Sequence, residues 1–476
     1  MATFGVISVA SSVACATEPK PTPLAPIAQA SATAIERLSH WVKQNGGTVS
    51  VTVSRPGEAK PWIDLAGNAP KNPASVTKVL TARVALETLG HAYQFQTTLH
   101  GQLRIGHVPI LAIRSDGDPT LSVETLRGFV SELVALGLSH VDEKILVDQS
   151  AFTGTYVPPA FEQQPEEWAP FRAPICATAL SHNRLEIRVT PKAVGNVAQL
   201  FIEPSGYAEI TGQVESVAKA DPKRPLTVSV EPTGDRVRVK ISGTIGENAP
   251  QFVAYKRVHD PRRLVGLALR DLLRERGIVV NGSVEFTDSV TLLPPVLVRH
   301  SSDALPVLLR SLGKDSDNFS AEMLLRAIGG ISGGIASSEA GAKRELEFLG
   351  RLGSVEPDTR LVNGSGLFDA NRLSTNLLVL LLNEVYTNRW VYPEFASQLS
   401  LGNTDGTLKT RLKGLPADCK IRAKTGTLRA TGSLAGYVET NAGATHTFAI
   451  IVEGITDMAK VKSEMDAFAV SLCSER

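Results

Sequence analysis

The chain is expected to fold as an α/β protein of the α+β kind, an antiparallel sheet flanked by helices and interrupted by a strand-rich insertion. Three observations predict this. Apolar residues recur at helical spacing over 31–45, 75–89 and much of the chain after residue 259. Between about 96 and 255, short strand-like runs separated by Gly, Pro, Asp and Asn take over. Near the end, 420–428, 433–440 and 447–453 read as three neighbouring antiparallel strands joined by polar turns, followed by a helix over 458–473.

In order, the first helix places Ile35, Leu38, Trp41 and Val42 on one side and stops at Gly46-Gly47. Val49, Val51 and Val53 then alternate with polar residues as a strand, and a second strand follows near 62–65. The apolar run after Ser75 continues to Gly90 as a mostly buried helix. One helix, 123–136, interrupts the strand-rich part. Its Pro-rich, aromatic loop 157–174 is open to two readings, a surface loop or a substrate contact. Asp260 reads as the N-cap of a helix ending at Gly277, whose arginines form a solvated face. Helices over 304–312 and 321–328 follow, and the glycines of 329–334 read as a flexible linker.

The bulk numbers bound the function. At 476 residues two or three domains are expected, and 43% hydrophobic with 20% charged residues describes a globular protein with ample core. Forty-nine basic against 48 acidic residues, net +1, predict neither a nucleic-acid nor an anionic-membrane partner. No apolar stretch in the body of the chain is long enough for a transmembrane segment. Residues 1–16 are uncharged, small and apolar and end in Ala14-Cys15-Ala16, which suits signal peptidase, although no Lys or Arg precedes Lys20. Residues 1–30 are therefore expected to be an export signal with an atypical n-region plus a linker, giving an extracytoplasmic, periplasmic protein; lipidation at Cys15 is the alternative. Cys176, Cys419 and Cys473 are too sparse for a disulfide framework, and whether any two of them pair stays open.

The chemistry sits in three short motifs. In Ser75-Val76-Thr77-Lys78, Ser75 begins a helix and Lys78 lies one turn on, on the same face, where a neutral amine can take the serine proton. Alone this pattern is weak, because a capping serine followed by a solvated lysine looks the same. Its weight comes from Ser316-Asp317-Asn318 and Lys424-Thr425-Gly426 following in that order, the signature of penicillin-recognising serine enzymes. Nine histidines show neither metal-ligand spacing nor H-E-x-x-H, and Ser365, preceded by Asn363-Gly364, does not sit in a G-x-S-x-G turn.

With Gly117-Asp118-Pro119-Thr120, Asn363-Gly364-Ser365-Gly366-Leu367, Asn371-Arg372, Asp405-Gly406-Thr407-Leu408 and the block around Lys424, the sequence resembles the D-alanyl-D-alanine carboxypeptidase/endopeptidase family of class C penicillin-binding proteins, the S13 peptidases, from about residue 30 onward. The resemblance implies a penicillin-binding-protein/β-lactamase-type transpeptidase domain built from 31–95 and 256–476. It also implies an inserted module, 96–255, of two nested subdomains. It implies peptidoglycan stem peptides as substrates, acylation by β-lactam antibiotics, and no metal or cofactor. Acyl transfer then assigns the roles. Ser75 attacks, Lys78 is its base with a pKa lowered by burial and by Lys424, and Ser316, between the two lysines, passes a proton to the leaving group. Asn318 holds the substrate backbone. Lys424 and Thr425 bind the terminal carboxylate, Gly426 allows close approach of the substrate, and the N–H groups of Ser75 and Thr427 form the oxyanion hole. Lys314 is a plausible helper, and the resemblance places Asp148 near the substrate's side-chain amine. One departure stands out: Phe368-Asp369 replaces the Ser-Arg common in relatives, which bears on the preferred peptide. Two alternatives remain, a β-lactamase, for which Glu356-Pro357-Asp358 is a faint signal, and a non-catalytic penicillin sensor or wall-binding protein.

Overall fold

The computed structural model describes residues 29–58, 60–334, 336–440 and 443–475; the expected export signal lies outside them. The first segment forms α1 (Gln29–Gln44), β1 (Thr48–Ser54), β2 (Ile63–Leu65) and α2 (Thr77–Thr88). The helix α1 thus already includes residues 29 and 30, which the sequence assigns to the linker. The insertion follows with β3 (Gln96–His100), β4 (His107–Ser115), α3 (Val123–Ala135) and β5 (His140–Asp148). It continues through β6 (Arg184–Thr190), β7 (Gln199–Glu203), β8 (Ala208–Val217), β9 (Thr227–Thr233), β10 (Arg236–Gly246) and β11 (Phe252–Arg257). Next come α4 (Leu264–Glu275), β12 (Val279–Val280), β13 (Ser283–Thr287) and β14 (Val296–Ser301). The last part holds α5 (Leu305–Arg310), α6 (Asn318–Gly330), α7 (Ser338–Leu352), α8 (Thr375–Thr387) and α9 (Tyr392–Gln398). It closes with β15 (Ser400–Leu401), β16 (Cys419–Leu428), β17 (Thr431–Thr440), β18 (Thr445–Glu453) and α10 (Met458–Ser471).

One sheet, ordered β15-β16-β17-β18-β1-β2 and antiparallel throughout, carries the site. The expected neighbours β16, β17 and β18 are paired as predicted. β17 and β18 are buried at nearly every position because both faces are covered, and successive side chains leave opposite faces. Leu434, Val438, Ile450 and Val452 meet α1 and α10, whereas Ala435, Tyr437, Ala449 and Ile451 meet the layer formed by α2, α6, α7 and α8.

Residues 96–257 are rich in strands, as expected. A second sheet, β12-β5-β4-β3-β14 with β13 also on β5, joins residues 96–148 to residues 279–301. Strand pairing with the 96–148 segment therefore continues beyond residue 255. Strands as short as β12, and the Pro294-Pro295 break before β14, left no periodic signal there. Two three-stranded sheets, β11-β6-β7 and β8-β10-β9, complete the insertion. Asp260 is not an N-cap: α4 starts at Leu264, and the Asp260 carboxylate instead accepts from the Arg262 backbone N–H at 3.0 Å and its guanidinium at 2.5 Å. Nor does Gly329 belong to a linker. A Cβ there would lie 2.8 Å from Ser337 O and 2.9 Å from Gly341 N, so the glycine lets α7 cross close over α6.

Cys419 and Cys473 form a disulfide, while Cys176 is buried and free. The bridge ties the end of α10 to the start of β16 and closes a loop of sequence separation 54. Cys473→Ser is expected to lower the stability of the oxidised protein by about 2–4 kcal/mol. Denaturant titration with and without reductant checks this, and reductant should leave the variant unchanged.

Candidate active site

Ser75 sits in a 3-10 turn, Ala74–Val76, that leads directly into α2. The turn starts from a left-handed Ala74 (φ 46°), a conformation costing an ordinary residue roughly 1–2 kcal/mol. Its surroundings impose it: the Asn72 side chain accepts from Ala74 N–H at 2.9 Å, and the Thr77 hydroxyl donates to Ala74 O at 2.9 Å. From the other side the Ser433 hydroxyl donates to Pro73 O at 2.6 Å.

Lys78 is fully buried, and its Nζ lies 3.0 Å from Ser75 Oγ, 2.8 Å from Asn318 Oδ1 and 2.7 Å from Ser365 O. Burial pulls its amine down to about 7, against the opposing pull of the Glu322 and Asp317 charges. Lys424 is itself held well below the usual lysine range, first by burial and then by Lys78.

Ser316-Asp317-Asn318 forms a corner between helices. A π-helical turn over 311–315 follows α5, Ser316 is left-handed (φ 59°), and Asp317 caps α6 by accepting from Ser320 N–H at 2.8 Å. The corner hands each lysine a different partner. Asn318 holds Lys78, while Ser316 Oγ lies 2.8 Å from Lys424 Nζ, which also donates to Thr425 O at 2.9 Å. Ser316 is therefore hydrogen-bonded to Lys424, and the amide of Asn318 takes Lys78. Lys314 is turned away, paired with Asp405 at 2.5 Å. The Thr425 hydroxyl donates to Thr407 Oγ1 at 2.8 Å, which gives the Asp405–Leu408 motif a place in the site.

Gly426 has a different reason from the expected one. A Cβ there would lie 2.1 Å from Ser433 Oγ, 2.8 Å from Pro73 O and 3.0 Å from Ala74 Cβ. The missing side chain makes room for the Ser75 turn against β16, not for substrate. Asn72, Ser75, Phe171, Asn318, Phe368 and Thr427 line the groove over the nucleophile, of about 570 Å³.

Phe171 of loop 157–174 lines the groove, and its carbonyl accepts from Asn318 Nδ2 at 3.1 Å. Pro159 O of the same loop accepts from Asn363 at 3.1 Å. Asp148 is elsewhere. The last residue of β5 points inward, fully buried, accepting from Ser150 N–H at 2.8 Å with Arg114 at 3.8 Å. Asp369, one of the departures, is paired with Arg372 at 2.5 Å and lines the same groove.

Glu322 was not legible as a site residue. It is fully buried one turn after Asn318 on α6, accepts the N–H groups of Ser365 (2.9 Å) and Gly364 (3.3 Å), and is raised by burial against those bonds and the Lys78 charge. An acid inside the apolar run Phe319–Ile328 was the available signal. Among the described residues no group of His, Cys, Asp or Glu is arranged to hold a metal ion, and no helix is long and apolar enough to cross a membrane.

The sheet-and-helix architecture is that of penicillin-binding proteins. A crystal structure of penicillin binding protein 4 from Haemophilus influenzae superposes with a TM-score of 0.76 at 22% identity, covering 92% of this chain and 98% of that one. The same protein complexed with a β-lactam gives 0.70 at 23% identity, with the same coverage. The D-alanyl-D-alanine carboxypeptidase of Actinomadura sp. (strain R39) is 30% identical over 421 residues, 84% of this chain and 76% of that protein. The D-Ala-D-Ala carboxypeptidase 3 (S13) family model matches residues 32–474, and the chain belongs to that family. It is a hydrolase of the D-alanyl-D-alanine carboxypeptidase type.

Gly426→Ala is expected to leave a folded protein whose Ser75 turn is displaced, slowing acylation about 10²-fold, the scale of a 1 Å misplacement. Circular dichroism and penicillin-labelling rates check the two halves separately.

Proposed function

We propose that the chain is an exported serine D-Ala-D-Ala carboxypeptidase, with D,D-endopeptidase activity on cross-linked stem peptides, and that β-lactams acylate it at Ser75. The observation that carries this reading is the placement of the Lys78 amine. A neutral amine donates two protons and accepts one. Asn318 Oδ1 and Ser365 O take the two, so the lone pair faces Ser75 Oγ at 3.0 Å. That is the geometry of a general base on a nucleophile.

Ser75 then attacks the carbonyl between the terminal D-alanines. The N–H groups of Ser75 and Thr427 stabilise the oxyanion, each by about 3–4 kcal/mol. The terminal carboxylate docks on Lys424 and Thr425. A carboxylate there favours the protonated form of Lys424, and a charged Lys424 favours a neutral Lys78, so the correct substrate helps to make its own base. Ser316, hydrogen-bonded to Lys424, gives its proton to the nitrogen of the departing D-alanine and recovers one from the lysine pair, which holds the proton taken from Ser75. Water or an amine next attacks the acyl-serine. Family membership and the D-alanyl-D-alanine carboxypeptidase relatives support the same substrate class.

The β-lactamase alternative has less support. Glu356 lines a separate cleft with Asn376 and Asn383, between β1 and α8, and is not among the residues lining the Ser75 groove. Glu322 is enclosed beneath Lys78 and committed to two backbone N–H groups.

Ser75→Ala is expected to remove all covalent penicillin labelling, and Lys78→Ala to slow it about 10²–10⁴-fold, the range for a lost general base. Labelling at another serine in the first variant would sink the assignment. The base must be neutral, so the acylation rate should fall as pH drops through about 7, where Lys78 takes up its proton. A stopped-flow pH series reads this directly. With Asp369 of the groove paired to Arg372 and Glu322 committed to backbone N–H groups, the penicillin adduct should last minutes or longer. Recovery of free enzyme within seconds, by intact-mass spectrometry after a pulse and dilution, would favour a β-lactamase.

A further inference from the structure

Glu345 has no part in the chemistry above. It lies on α7, fully buried, and neither of its carboxyl oxygens has a hydrogen-bond partner of good geometry. Burying an ionised carboxylate without donors carries a large free-energy penalty. Glu322, with its two backbone N–H groups, shows what an accommodated one looks like here.

The packing leaves Glu345 nowhere else to go. A Cβ on Gly341 would lie 2.0 Å from Leu325 O, so α7 rests directly on α6 at that point. Residue 345, four on, faces the same seam. Its polar neighbour is Thr81, one turn after Lys78 on α2. The Thr81 hydroxyl donates to Gly364 O at 3.0 Å and therefore offers Glu345 only lone pairs. A protonated Glu345 completes a chain: its O–H to Thr81 Oγ, and Thr81 O–H to Gly364 O. The next carbonyl, Ser365 O, takes the Lys78 amine at 2.7 Å. Ionised, Glu345 would compete for the Thr81 proton and release that loop.

Burial above all pushes the Glu345 carboxyl up to about 8, against the nearby Thr81 hydroxyl, whose proton would favour the ionised form, and with the Glu322 charge adding to the rise. The other charges on the packed helices are engaged elsewhere. Arg83 of α2 pairs with Glu384 of α8 and with Glu87, and Arg326 of α6 donates to Ser338 and to backbone carbonyls. On α7 itself Arg344 donates to Ile331 O and Arg351 pairs with Glu87.

We propose that Glu345 is a positioning residue for the Ser75–Lys78 pair: as a neutral acid it holds the 363–366 loop through Thr81 and adds no charge to those of Glu322 and Asp317 near Lys78, and loss of its proton ends activity on the alkaline side. A further negative charge would favour the Lys78 ammonium, which cannot act as a base. The proposal rests on the serine mechanism above.

The test is the pH dependence of penicillin acylation in the wild type, Glu345→Gln and Glu345→Met, with thermal melts of all three over the same range. Gln can donate to Thr81 as the acid does, so that variant should acylate within about threefold of wild type at pH 7, whereas Met, which cannot, should be about tenfold slower. Both should continue to work where the wild type turns down above about 8. The wild-type melting temperature, relative to either variant, should fall as pH rises from about 4.5 to about 8, because the folded state there keeps a proton that the unfolded chain has released. Variants that turn down at the wild-type pH, or melting differences independent of pH, overturn the role of Glu345. A wild type that never acylates strikes at the serine mechanism instead, while the melts still report on Glu345.

Discussion

Everything in the catalytic half converges on one amine that has been removed from water. Lys78 reaches Ser75 on its own helix, Asn318 at the head of α6 and Ser365 in the loop before α8, all within 3.0 Å. Those three partners come from distant parts of the chain, so the lysine is also a packing keystone. An ammonium in this place would lose its hydration shell with only neutral acceptors in contact, and burial accordingly favours the free amine. The reactivity proposed for Ser75 is thus a consequence of where the core closes.

The surrounding elements serve to hold that closure. A sheet covered on both faces gives β16 a fixed height above α2. Gly426 and Ser433 then clamp the Ser75 turn from that side, and Asn72 and Thr77 clamp it from the other. The left-handed Ala74 and Ser316 are unfavourable by themselves. Each is retained at a corner where a motif residue must point into the groove instead of along a helix.

The insertion reaches the same place by another route. Its segment around Phe152 and Ile175 packs on Phe319 and Met323 of α6, forming a small core directly behind the Ser-Asp-Asn corner. From there loop 157–174 brings the Phe171 carbonyl to Asn318. The insertion therefore acts as one wall of the groove. A substrate that orders this loop would also orient the amide that holds Lys78.

What the sequence determined by itself is what depends on near neighbours. Helical spacing alone puts Lys78 one turn from Ser75, and period-two patterns with short turns are enough to pair β16 with β17 and β18. Three motifs in order pointed to the family without any structure. Only the tertiary structure decided the rest, because desolvation and long-range pairing are properties of the packed chain. It showed that Asn318, 240 residues from Lys78, holds that lysine while Ser316 serves Lys424. It assigned Gly426 to packing, joined residues 279–301 to the inserted sheet, and chose Cys473 as the partner of Cys419. It also turned Glu322 and Glu345, two unremarked acids in amphipathic stretches, into buried carboxyl groups in the layer that holds Lys78, since a carboxyl group's surroundings exist only after the helices that enclose it have met.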